Sequence, residues 1–529
     1  MEIGHRRVRA GAAAGARRLA AVLIALACLL PAPDARSENP PAARTLRVAT
    51  SGDYAPFSFV STEASAPTES VGSLDGFDVE VARRFARDKG YALELVRFRW
   101  PELGGELSRG TFDVAMSGVT MRAERSISGR YSVPVAATHA VAITWNGSGV
   151  TTASDLDRPS RRVAVNAGGH LESVARRAFR RAEIVAVADN DAVRMALLDR
   201  AFDAVITDSF EEKVWTAGLK GVVRIGPLTN DRKAYLLPAA RGALAEELDL
   251  WLLAREKDGT LGELRARYFG GGSTEPTSDE KLATAEPLAA LSSAIVERQS
   301  LMPMVYDAKH EAGRPIEDKT QEAAVLDAGA RAVADAASRN GRTAPPEPAT
   351  KRLFEVLIAM GKSVQQGLAD EDAKRRPGVI LRRSSGSANA PDAASGHATA
   401  ASSGRASDAG SAQAAGAGSQ KTAPVAGTQQ APPGAAPPGA AAVDANADQP
   451  ARQPGSRRIY ALDTELRPAL ARITEKIARI VLAIDRPLSI VEVRRAFGDN
   501  LGPQGVAASQ LDALSAAVSE ISSHAAPNP

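Results

Sequence analysis

The chain has 529 residues, room for about two to four domains at roughly 100–200 residues each. Hydrophobic residues make up 44%, enough to build real cores and to exclude a wholly disordered chain. With 65 basic and 62 acidic residues the formal net charge is +3, which gives no electrostatic case for nucleic acid or for a polybasic membrane contact.

The chain begins with the basic stretch HRRVRAGAAAGARR, the apolar run LAAVLIALACLL and the small, polar PAPDARSENPPAA. About a dozen apolar residues are too few to span a bilayer and suit a cleaved secretory signal over 1–36. Cys28, the only cysteine, lies in that run, but ALAC followed by two leucines is a poor lipoprotein site. Arg6–Arg7 leaves twin-arginine export as an alternative route. Removal of the segment leaves no thiol, which is compatible with an oxidising compartment, and the expectation is a soluble periplasmic protein without membrane insertion.

Residues 45–270 alternate strand-like and helix-like segments. TLRVATS, ALELVRF, FDVAMSGVT, RRVAVNAGG, AEIVAVADN, FDAVITDS and AYLLPAA read as strands. GFDVEVARRFARDKG carries Phe77, Val81 and Phe85 at helical spacing, HLESVARRAF follows a pair of glycines, and 242–268 reads as closing helices. This order predicts α/β layers with largely parallel strands. Loops beyond the strand ends, and free amides at helix starts, are where open α/β proteins bind anions. Tyr54, Thr120, Arg125, Gly168, Gly169 and Asp208 stand at such places. For Arg125 the competing expectation is a surface ion pair with Glu124 or Asp113.

Beyond GGGSTEPTSDE the chain reads as helical over 286–312, 317–339, 349–369 and 458–482, with further helices after that. Residues 371–457 are dominated by Ala, Pro, Gly, Ser and Gln and predict a disordered insertion inside this helical part. Arg298 and Lys309 are eleven residues apart. At about 100° per residue they share a helix face, about 16 Å apart along the axis. Two long cations on one face can converge on a small dianion, and a solvated basic stripe is the competing expectation. Neither cation is expected in the core.

The order GDYAPF, GFDVEVA, FDVAMSGVTMRAER and YSVPV resembles the two-lobed solute-binding proteins of the polar-amino-acid type. The resemblance implies that Arg125, with Thr120 nearby, meets a ligand carboxylate, and that Asp208 meets an ammonium. RWPEL, VNAGG, ITDSFE and RKAYLLP resemble more closely the cyclohexadienyl dehydratases built on that fold. By that resemblance Tyr54, Trp100, Asn166, Gly168 and Gly169 contact substrate and Glu211 is the general acid. Prephenate loses its ring hydroxyl as carbon dioxide leaves, and hydroxide departs poorly until it is protonated. The acid must therefore stay protonated near neutrality, through burial or anionic neighbours. An exposed helix-start residue favoured by the dipole is the competing expectation for Glu211, and Glu212 lies beside it. Asp208 extends the expectation to arogenate. His170 and Leu171 depart from the family, which carries Thr and Asn there, and the loop at 60–73 is longer than usual.

R-x10-K, RPIEDKTQEAAVL and LIAMGKSVQQ resemble the all-helical chorismate mutases, and ELRPALARITEKIARIVLAI resembles the extra C-terminal helix of their secreted class. The resemblance implies that Arg298 binds a carboxylate, that Lys309 and Gln365 hold the breaking ether oxygen, that Glu322 holds a ring hydroxyl, and that Asp318 orients the loop. Chorismate rearranges to prephenate intramolecularly, so orientation and preorganised charge suffice. Gln321 stands where the family has an arginine. Arg472 is the first candidate to replace it and Arg467 the second.

The expected protein is multidomain. A signal segment at 1–36 precedes a two-lobed α/β dehydratase domain at 45–275 and an all-α mutase domain at 280–529, interrupted at 371–457. Its expected substrates are chorismate, prephenate and arogenate, with no metal or cofactor and no nucleic-acid partner. The mutase-like part is where a homo-oligomer would form. The alternative is an amino-acid-binding domain fused to a mutase that is the only enzyme.

Overall fold

The computed structural model describes residues 44–61, 74–270, 284–375, 458–502 and 505–524. The expected signal segment, most of the 60–73 loop and nearly all of the 371–457 insertion lie outside the described residues.

Residues 44–270 form two lobes, each built on a five-stranded sheet. In the first the strand order is Ala92–Arg97, Thr45–Thr50, Val114–Ala115, Asp231–Pro238, Gly129–Thr138. In the second it is Glu183–Val187, Arg162–Asn166, Ala204–Asp208, Ala140–Trp145, Val222–Ile225. Each sheet mixes parallel with antiparallel pairs, where the sequence predicts largely parallel strands. The double crossing between lobes is the reason. The chain leaves the first lobe along Gly129–Thr138 and enters the second after His139 alone, then returns along Asp231–Pro238. A strand returning beside the outgoing one runs antiparallel to it, and these two pair that way.

The helix Phe77–Lys89 shows why local sequence and packing agree. Phe77, Val81 and Phe85 are fully buried on one face, acids occupy its first turn and bases its last, and Gly90 closes it in the left-handed conformation.

The helical part comprises Pro287–Ser300, Met302–Glu311, Lys319–Arg339, Glu347–Arg375, Arg467–Ala483, Ile490–Leu501 and Ala508–Ser522. The single helix expected over 286–312 is two, because Pro303 has no amide hydrogen for the carbonyl of Gln299 and instead opens a new first turn. No helix among the described residues is long and apolar enough to cross a membrane.

The α/β and helical parts share one core. Leu248 and Leu252 belong to the same apolar cluster as Leu291, Ile295, Ile473 and Ile477. Buried ion pairs cross the same contact. Lys476 pairs with Glu297, which also accepts a hydrogen bond from Ser126 Oγ at 2.8 Å. Arg479 pairs with Asp249 at 2.7 Å, and Asp249 accepts the Val133 amide at 2.8 Å. All of these α/β residues belong to the first lobe or to the helix Gly242–Lys257 packed on it.

Candidate functional site

A cavity of about 40 Å³ lies between the two lobes. Tyr54, Trp100, Thr120, Arg125, Asn166, Gly169 and Glu211 line it, together with Gly118, His170, Leu171, Asn190 and Lys233. Glu211 is 1% exposed, so the exposed helix-start expectation fails. It sits in the first turn of the helix Ser209–Thr216, which Asp208 caps by accepting the amides of Phe210 and Glu211. Thr207 Oγ1 donates to Glu211 Oε2 at 2.6 Å. Burial, and then the charge of Asp208, push the Glu211 carboxyl well above the usual range, which favours its protonated form. Glu212 is half-buried and paired with Arg224 at 3.1 Å, outside the lining.

Arg125 makes no ion pair among the described residues. Asp113 is taken by Arg47 at 3.1 Å and by Arg241 at 2.5 Å, and Glu124 lies 3.5 Å from Arg122. Its Nη1 donates to the Thr120 carbonyl at 3.2 Å. Trp100 Nε1 and Asn166 Oδ1 are buried without a partner among the described residues. An acid with a raised pKa, a guanidinium without a carboxylate and two unmatched polar atoms around one small space describe a site shaped for a polar anion. Gly118 allows the close packing, since a Cβ there would lie 2.4 Å from the Tyr54 ring and the backbone has φ +59°.

Two expected contacts lie elsewhere. Asp208 is 1% exposed behind the cavity wall, bound by Tyr54 and by Lys233 at 3.1 Å. Gly168 does not line the cavity. Its amide donates to Glu172 at 2.7 Å, and its Cα faces Pro101 in the opposite lobe, where a Cβ would come within 3.1 Å. His170 faces the cavity, but its Nε2 is engaged with Asp231 at 2.9 Å.

A second, larger cavity of about 590 Å³ lies in the helical part. Arg298, Lys309, Asp318, Glu322 and Gln365 all line it, together with Gln321, Lys362 and Arg467. The break before Pro303 thus does not separate Arg298 from Lys309. Arg298 is 6% exposed, against the expectation that it stays out of the core. Its Nη1 donates to the Leu357 carbonyl at 2.8 Å, and it makes no ion pair among the described residues. Burial lowers its pKa to about 10, so it remains charged at neutrality. Gln365 donates to the Gly361 carbonyl at 3.2 Å while its Oε1 is buried without a partner among the described residues. Lys309 donates to the Ile316 carbonyl at 2.6 Å, keeping two hydrogens. Asp318 caps the helix Lys319–Arg339 through the Gln321 amide, and Glu322 pairs with Lys362 at 2.9 Å.

Arg472 is not at this cavity. Its guanidinium binds the carbonyls of Ser126, Ile127 and Gly129, so it fastens the helical part to the first lobe. Arg467, five residues earlier, reaches the cavity rim and lies 4.0 Å from Asp318. Five helical residues turn the side chain by about 500°, roughly 140° from where it started, so the two arginines face different ways.

Residues 46–271 match the bacterial extracellular solute-binding proteins, family 3. The cyclohexadienyl dehydratase of Pseudomonas aeruginosa is 32% identical over 249 residues, which cover 45% of this chain and 90% of that protein. This chain belongs to that solute-binding family. The L-cystine-binding protein of Escherichia coli is 24% identical over 241 residues, covering 44% of this chain and 85% of its own. The crystal structure of an ancestral amino acid-binding protein, described as a precursor of cyclohexadienyl dehydratase, is 28% identical and covers 42% of this chain and 95% of its own, with a TM-score of 0.39. The solute-binding match ends at residue 271, before the helical part begins.

Within the solute-binding cleft, sequence reasoning overlooked Lys233. The signal was present: a lysine in the otherwise apolar strand DRKAYLLP needs a buried partner. In the helical cavity it overlooked Lys362, which stands three residues before Gln365 and therefore on the same face.

Proposed function

We propose that the chain is a bifunctional exported enzyme that rearranges chorismate to prephenate in the helical cavity and converts prephenate to phenylpyruvate in the solute-binding cleft. The observation that carries the second step is Glu211, buried, with its pKa raised, and facing the same cavity as the unpaired Arg125. Arg125 holds a substrate carboxylate, and Glu211 gives its proton to the departing ring hydroxyl while the ring carboxylate leaves as carbon dioxide and its bonding electrons complete the aromatic ring. The protonated hydroxyl departs as water, leaving Glu211 as the carboxylate.

The first step rests on Arg298 and Gln365, a buried guanidinium and a buried amide with unmatched capacity on the wall of a 590 Å³ cavity. Arg298 holds a carboxylate of the folded substrate, Lys309 and the Gln365 amide nitrogen, whose second hydrogen meets only Met302 Sδ at 3.8 Å, move to the ether oxygen as its bond breaks, and Glu322 accepts the ring hydroxyl. Arg467 takes the place proposed for the missing family arginine. Export rests on the order of basic, apolar and small residues at 1–36 and on the extracellular character of the family. The test is to offer prephenate and chorismate separately to the full chain. Phenylpyruvate from the first and loss of the second are expected. Prephenate left intact while L-cystine or L-arginine binds would instead favour an amino-acid-binding cleft.

A further inference from the structure

Most of the charges around the cleft are already matched. Lys233 pairs with Asp208 at 3.1 Å, and Arg122, just before the helix Ala123–Ser128, lies 3.5 Å from Glu124. The raised pKa of Glu211 favours its neutral form. What remains is the guanidinium of Arg125 in the first lobe and one buried carboxylate, Asp231, at the start of the returning strand. A dicarboxylate would bring two negative charges to a wall holding one positive and one negative. A further positive charge beside Asp231 would balance it.

His170 is placed to supply that charge. It opens the helix His170–Ala178 of the second lobe and lines the cavity. Its Nε2 lies 2.9 Å from Asp231 Oδ2, and Thr229 Oγ1 donates to the same oxygen at 2.6 Å. Against burial, the hydrogen bond and charge of His170 and then the Thr229 hydroxyl hold the Asp231 carboxyl below its ordinary range, so it is ionised at neutrality. An ionised Asp231 sets the tautomer. The hydrogen of the neutral ring sits on Nε2, and Nδ1 keeps a lone pair. Nδ1 has no hydrogen-bond partner among the described residues. Burial lowers the pKa of the ring, Asp231 opposes it, and Lys233 and Arg122 add to the lowering. With Arg125 and Glu211 in the same lining, these are the charged and titratable groups that face the ring. Glu172, on the ring's own helix, is turned to the Gly168 amide and to Arg176.

We propose that His170 is a second carboxylate-binding residue of the cleft. As a dicarboxylate binds, Nδ1 takes a proton from water. The imidazolium holds one carboxylate, Asp231 braces its far side, and Arg125 on the opposite lobe holds the other carboxylate. The threonine that the dehydratases carry at this position offers a hydroxyl but no charge, so histidine adds a contact that titrates. The proposal rests on the dehydratase reading of the cleft. It applies equally to prephenate and arogenate, which share the two carboxylates.

The experiment titrates full-length Glu211→Gln, which should bind prephenate without converting it, with prephenate from about pH 6.5 to about pH 8.5. All four tryptophans lie between 100 and 251, and Trp100 lines the cleft, so tryptophan fluorescence reports the α/β part rather than the helical cavity. Carboxylic acids of this kind ionise near about pH 3–4, so the ligand stays a dianion throughout. The imidazolium is the binding form, so Kd should weaken as pH rises. The expected change is about fivefold or more across the range, with a limit of about tenfold per pH unit for one proton. His170→Thr in the same background should bind more weakly at the acid end and show a Kd nearly flat with pH. Circular dichroism checks its fold, and His170→Gln serves as the second variant. A flat Kd in Glu211→Gln itself overturns the proposal without recourse to any His170 variant, and leaves the dehydratase reading standing. A slope that survives in a folded His170 variant overturns the assignment to His170. Absence of prephenate binding at every pH overturns both readings. Proton-linked binding in a protein whose wild type forms no phenylpyruvate keeps the proposal and removes the dehydratase reading.

Discussion

Glu211 and Glu212 are adjacent in sequence and opposite in circumstance. One is buried beside Asp208 with only a threonine hydroxyl to satisfy it, and the other pairs with Arg224. Glu211→Gln should therefore lower dehydratase turnover by about 10²-fold or more, while Glu212→Gln leaves it near wild type, read as phenylpyruvate formed from prephenate. The pH dependence follows from the direction of the Glu211 shift. The acid form is the active one, so activity should hold through neutrality and decline as pH rises through its raised pKa. An alkaline limb that persists in Glu211→Gln would assign that titration to another group. The helical cations differ from each other in the same way. Lys309 is half-buried and Arg298 is in the core, so Lys309→Ala should cut mutase turnover with little loss of stability, whereas Arg298→Ala should cost both. Thermal melts beside the chorismate assay separate the two effects.

At the scale of elements, the pair of helices Pro287–Ser300 and Arg467–Ala483 carries one half of a site on one face and the contact with the first lobe on another. Glu297 precedes Arg298, and Ser126 follows Arg125, so the hydrogen bond between Glu297 and Ser126 joins the segments that hold the two arginines proposed to bind carboxylates. Glu297→Ala would leave Lys476 buried without its partner, a change that typically costs about 3–5 kcal/mol. A single calorimetric transition lowered as a whole is expected, since both parts share a core, whereas two separate transitions with only one shifted would mean that the contact is weak. Arg472→Ala should act on this docking, and Arg467→Ala on mutase kinetics. That contrast shows where the sequence is legible and where it is not. Periodicity and turn residues identify nearly every helix and strand, spacing puts Arg298 and Lys309 on one face, and the resemblance to the mutases adds Glu322 and Gln365, which line the same cavity. Which way Arg467 and Arg472 face depends on what packs against the helix, and no local pattern carries that. Lys233 was obscured for a similar reason, because its ion-pair partner Asp208 is 25 residues away and in the other lobe. The antiparallel strands were missed because the double crossing of the chain is a property of topology, not of any one segment.

At the scale of the molecule, the helical part is packed on the first lobe, and the second lobe contributes no ion pair to that contact among the described residues. The two lobes are joined at His139 and near 226–230, and the cleft takes residues from both, Tyr54 and Arg125 from the first and Asn166 and Glu211 from the second. The docked arrangement also means that a 45–275 fragment would expose the apolar face now covered by Leu291, Ile295 and Ile477, so activity belongs to the full chain. The measurement that bears most directly on two successive reactions in one chain is to give chorismate, at neutral pH, to full-length Glu211→Gln. The expected result is chorismate consumed at the wild-type rate, with prephenate accumulating and phenylpyruvate held back. Chorismate left untouched, or phenylpyruvate formed at the wild-type rate, would contradict it.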